Sequence, residues 1–103
     1  MRAVDLALYA DELAARSATL AAQLERARGR LRQAAIEWEA RRALDEGLVG
    51  RLESLGFLRR ADTKVARAEV VELASAVAAV EELQAWVERR LYAAREGLTL
   101  SVE

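Results

Sequence analysis

Residues 70–91 read VVELASAVAAVEELQAWVERRL. Steps of three and four alternate along this stretch through Val70, Leu73, Val77, Val80, Gln84, Val87 and Leu91, and the pattern runs on to Ala94 and Leu98. A 3–4 alternation held over about four heptads puts one apolar stripe on a helix and has no use in a strand. Gln84 is the one polar residue on the stripe. Such a group either fixes register at some cost in stability or sits at the boundary while Leu83 turns inward. Leu83 and Trp86 widen the stripe toward its C-terminal half.

The N-terminal part of the chain carries a matching pattern. One seam reads Ala3, Ala10, Ser17, Leu24, Leu31, Trp38, and the other reads Leu6, Leu13, Leu20, Ala27, Ala34. Small residues alternate with large ones along it, which suits close antiparallel packing. The register fails at Arg41 and Asp45. Proline is absent, and Ala, Leu, Glu and Arg dominate, a composition that favours helix nearly everywhere.

Between the two stripes, DEGLVGRLESLGFLRRADT (45–63) holds Gly47, Gly50 and Gly56, three of the five glycines. Leu48, Val49, Leu52 and Leu55 fall on one face of a short helix, with Gly56 as its C-terminal cap and Phe57 and Leu58 turning back onto the core. Asp62, or less suitably Thr63, is placed to cap the next helix, since its side chain accepts from the first free amides. The expected elements are helices over about 3–44, 48–55 and 63–96, followed by a short tail over 97–103 capped by Gly97, all in one domain.

These readings give an all-α fold: a long antiparallel helical hairpin with a short middle helix and arms of roughly 50–65 Å. A lone helix pair buries only a narrow seam, yet Trp38, Phe57, Leu83, Trp86 and Tyr92 also need cover. Pairing two hairpins into a four-helix bundle supplies it, so a homodimer is expected. The competing arrangement is a monomeric three-helix bundle in which the first helix breaks at Gly29. Glycine there costs about 1 kcal/mol against alanine, and close helix packing is the preferred reason for it.

Chemistry is constrained by what is missing. There is no Cys and no His, so the usual ligands of zinc, copper and iron are absent, as are thiolate and Ser–His nucleophile pairs. The carboxylate pairs Glu81–Glu82 and Asp45–Glu46 are adjacent and do not face the same way on a helix, and Glu37–Glu39 is no better placed. No glutamate lies on either stripe, where a carboxylate metal bundle needs several. No enzyme, cofactor or metal is expected. No window approaches 18 uncharged apolar residues, and the acids at 5, 11 and 12 interrupt any leader-like start, so the chain reads as cytoplasmic with no membrane partner.

The 16 basic and 17 acidic residues nearly balance, so total charge predicts no pull toward nucleic acid or anionic membrane. Charge is nonetheless grouped. RARGRLR (26–32) sets Arg26 with Arg30 and Arg28 with Arg32 as two helical columns. Residues 68–88 carry Glu69, Glu72, Glu81, Glu82 and Glu88 with no base. Folding the chain about residue 54 sets 26–32 beside 76–82, so the arginines read as ion-pairing flanks of the bundle. Arg59, Arg60, Lys64 and Arg67, around a helix start, form the better candidate anion-binding cluster.

One family pattern deserves comparison. YAARE (Tyr92–Glu96) resembles the C-terminal Tyr-x-x-x-Asp/Glu of the secreted WXG100 helical hairpins, and WEA (Trp38–Ala40) loosely resembles their Trp-x-Gly turn. Ala40 stands where that turn has Gly, and Trp38 lies on a seam inside a continuing helix. The chain is therefore not assigned to the group.

The resulting expectation is a non-catalytic helical protein–protein interaction module of adaptor or scaffold type that self-associates, with a possible further protein partner. Leu13, Leu20, Leu24, Leu31 and Trp38 on one arm, and Val70, Leu73, Val77, Val80, Val87 and Leu91 on the other, would carry the interface. The tail residues Leu98, Leu100 and Val102 could add contact by packing or strand addition. The alternative is a nucleic-acid-binding accessory protein using the Arg59–Arg60–Lys64–Arg67 cluster.

Overall fold

The computed structural model describes residues 1–60 and 62–97. The expected tail contacts of Leu98, Leu100 and Val102 lie outside the described residues. Three helices make up the fold: α1 (Ala3–Ala43), α2 (Glu46–Ser54) and α3 (Thr63–Arg95). Among the described residues there is no strand.

α1 runs 41 residues without a break, about 60 Å at the rise of an α-helix. Gly29 lies inside it, so the broken-helix alternative is excluded. Close packing does not explain Gly29 either. A Cβ built there meets only the Arg32 guanidinium, at 3.9 Å, an ordinary contact. Asp5 in the first turn and Arg41 and Arg42 in the last complement the helix dipole.

α2 begins two residues earlier than its apolar pattern suggests, because Asp45 caps it. The Asp45 carboxylate accepts from the Gly47 N–H at 3.1 Å. The helix ends in a Schellman turn: Phe57 N–H donates to the Leu52 carbonyl and Gly56 N–H to that of Glu53. Gly56 takes φ +83°, the left-handed conformation glycine adopts without strain. Asp62 caps α3, accepting from the amides of Lys64 at 2.9 Å and Val65 at 3.4 Å.

The described residues pack as two compact units. The first joins residues 1–22, mostly α1, to 74–97, mostly α3. Leu6, Leu13 and Val87 form its core, with Ala10, Val80 and Leu91 against them. Early α1 meets late α3, so the pairing is antiparallel. Ser17 donates to Gln84 at 3.4 Å, which places the polar residue of the α3 stripe opposite the polar residue of the α1 seam.

The second unit spans Gln23–Leu73. Leu24, Ala27, Ala34 and Leu58 are buried in it, together with Glu37. Leu58 turns inward as expected, but Phe57 does not: it is 72% exposed. The Schellman hydrogen bonds fix the backbone at this point, and consecutive residues leaving it face opposite ways. α2 is also split. Val49 and Leu52 are half-buried while Leu48 and Leu55 are exposed. Four apolar residues spread over roughly 120° of a helix cannot all reach a single neighbour.

Candidate interaction surfaces

The predicted seams are filled largely from within the chain. Leu13, Leu24 and Val87 are buried, and Leu20, Leu31, Val70, Leu73, Val77, Val80 and Leu91 are half-buried, each in its own unit. Trp38 is the exception and stays exposed, with the Arg42 guanidinium stacked 4.6 Å from its ring centre.

In the first unit, large apolar groups remain beside the seam. Met1, Leu6, Tyr9, Leu83 and Trp86, with Asp5 at the edge, line a mostly apolar cleft of about 340 Å³. Tyr9 is 43% exposed, Leu83 37% and Trp86 36%. The Arg90 guanidinium lies 4.9 Å from the Trp86 ring centre. The sequence marks Leu83 and Trp86 as widening the stripe. Tyr9 was missed, although it lies four residues after Asp5 and three after Leu6, at the seam's shoulder.

In the second unit, charged groups hold the α2–α3 connection to α1. Glu53 accepts from Arg41 at 3.1 and 3.3 Å and from Arg60 at 3.3 Å. Arg41 also donates to the Arg59 carbonyl, and the Arg59 N–H donates to Glu37 at 3.1 Å. Partial burial disfavours the charged form of Glu53, but the hydrogen bonds and charges of Arg41 and Arg60 outweigh it and hold its pKa below the ordinary value. Trp38, Arg41, Glu46, Val49, Gly50, Glu53, Arg60 and Asp62 line an open cleft of about 660 Å³ above this network. Among the described residues no buried side-chain nitrogen or oxygen lacks a partner, and no group of three or more Asp or Glu could hold a metal ion.

The four candidate anion-binding residues do not meet at one point. Arg60 is engaged by Glu53, whereas Arg59 acts through its backbone. Lys64 and Arg67 line a separate dent with Ala68, Val71 and Glu72. The α3 amides an anion would use are occupied by the Asp62 carboxylate.

The four arginines of RARGRLR are exposed on α1, while Ala27 between them is buried. Arg28 pairs with Glu25 at 2.7 Å within the helix, and Arg30 pairs with Glu69 at 2.6 Å across to α3. The partner is at the start of the acidic stretch rather than within 76–82. Both Arg30–Glu69 and Ser17–Gln84 centre the fold near residue 50, not 54.

No helix among the described residues is long and apolar enough to cross a membrane. The chain matches no protein-family model, no curated protein and no solved structure. The WXG100-like residues add nothing further: Trp38 lies within α1 and Tyr92 is exposed on α3.

Proposed function

We propose that this chain is a non-catalytic helical interaction module that self-associates as a homodimer, closing a four-helix bundle over the Tyr9–Leu83–Trp86 face. One observation carries the reading. Three large exposed side chains, two of them aromatic, line one apolar cleft beside the core of Leu6, Leu13 and Val87. Exposed aromatics with an arginine at the rim are the composition enriched where proteins meet. Self-association is the economical use of such a face, because two-fold pairing makes one patch serve both copies. The reading takes the module to be cytoplasmic and to need no cofactor.

The charged network around Glu53 supports a structural rather than a catalytic role for the ionisable groups. Each of its members is engaged in holding the connector, and Glu53 is kept ionised rather than poised for proton transfer near neutrality.

Sedimentation of a Leu83→Glu variant tests the face. The expected outcome is a monomer with unchanged helix content by circular dichroism. A variant that stays dimeric would move the interface elsewhere.

A further inference from the structure

The outer side of α2 lies in the second unit and takes no part in the proposed dimer face. Leu48, Arg51 and Leu55 share one side of the helix at spacings of three and four. Leu48 is exposed and Leu55 is 62% exposed. Two residues on, Phe57 projects with its backbone pinned by the Schellman hydrogen bonds and its neighbour Leu58 buried. Leu48, Leu55 and Phe57 are the exposed apolar groups on and just after α2, at this tip of the second unit.

Charge along the segment that carries this tip is far from balanced. Residues 41–67 hold seven basic side chains and four acidic ones, in a chain whose total is −1. Three of the four acids are spent internally. Glu53 is shared by Arg41 and Arg60, and Asp45 and Asp62 accept from helix amides. Glu46, in the first turn of α2, has no such engagement among the described residues. Arg51, Arg59, Lys64 and Arg67 are exposed and have no carboxylate partner among the described residues. Local cation excess therefore coexists with a total charge that hides it.

Against the expectation of no membrane partner, we propose that this tip docks the protein on an anionic lipid surface, with Leu48, Leu55 and Phe57 entering the headgroup–acyl boundary and Arg51 and Arg59 on the lipid headgroups. Interleaved apolar and basic groups are the two signals that reversible interfacial binding requires together. Nucleic acid fits the same surface less well, since it would press two leucines against a polyanion with only Phe57 to stack on a base. The expected attachment is shallow, reversible and sensitive to salt.

The test is co-sedimentation of the full chain with phosphatidylcholine vesicles, with and without phosphatidylserine. Binding is expected only with phosphatidylserine and is expected to vanish at about 1 M salt, where the screening length is about 3 Å. Leu55→Ser with Phe57→Ser should weaken it about tenfold or more. Both positions are exposed, so helix content should be retained, and the solution mass should match wild type because the dimer face lies in the other unit. Failure to bind phosphatidylserine vesicles at low salt overturns the proposal, as does binding indifferent to Leu55 and Phe57. Binding of duplex DNA but not vesicles would assign the surface to nucleic acid instead. Loss of dimer mass in the Leu55/Phe57 variant, without vesicle binding by wild type, would make the tip a copy-to-copy contact.

Discussion

The carboxylate of Glu37, buried on α1, accepts the backbone N–H of Arg59 at 3.1 Å from 22 positions away in sequence. Arg41, one turn further along α1, donates to the carbonyl of the same residue. The connector between α2 and α3 is thus held at both polar groups of one peptide residue. Removing the Glu37 acceptor leaves a partly buried N–H without its partner, a loss of about 1–3 kcal/mol. Glu37→Ala should show this in urea unfolding, while Glu37→Gln, which keeps an oxygen in place, should cost much less. Equal costs would mean that the bond contributes little.

Glu53 gives the connector a pH dependence of definite sign. Its folded pKa lies below the unfolded value of about 4.3, so its contribution is fully present above that pH and is lost as pH falls through the folded value. Glu53→Gln should therefore be less stable than wild type at neutral pH, with the gap narrowing below about pH 4. Urea midpoints of both proteins across the acid range would show it. A gap independent of pH would remove the ion pairs from the account.

Gly29→Ala should stabilise the protein. The site is interior to α1 and has room for a methyl group. The expected gain is about 0.5–1 kcal/mol, read as a higher thermal midpoint. A lower midpoint would reveal a neighbour at Gly29 that a single chain does not show.

Among the described residues Val87 is the largest fully buried side chain, packed with Leu6 and Leu13. Val87→Ala should cost roughly 2 kcal/mol through lost contacts and a residual cavity. On the same stripe, Val77→Asp should abolish folding or assembly. A wild-type oligomer in the Val77→Asp variant would refute the seam.

Much of this architecture is legible in the sequence, for identifiable reasons. The extents of α1 and α3 follow from long, unbroken stripes. Asp62 and Gly56 are legible because each cap needs a particular chemistry at a particular position. Gln84 reads ambiguously until its partner is seen, and the partner is Ser17, the polar residue of the opposite seam.

The pairs Arg30–Glu69 and Ser17–Gln84 centre the fold near residue 50, the middle of α2, so Arg30 meets Glu69 and not the acids of 76–82. Phe57 and Leu58 look alike to a hydropathy reading, and only the turn geometry sends one inward and the other out. Asp45 carried a usable signal, a short acid just before a helical run, and it went unread as a cap.

In the proposed dimer a second copy covers the Tyr9–Leu83–Trp86 face. Light scattering across a concentration series on a size-exclusion column tests it most directly. The account predicts a mass near twice the 11.4 kDa of the chain. A well-folded monomer of 11.4 kDa at every concentration would contradict it.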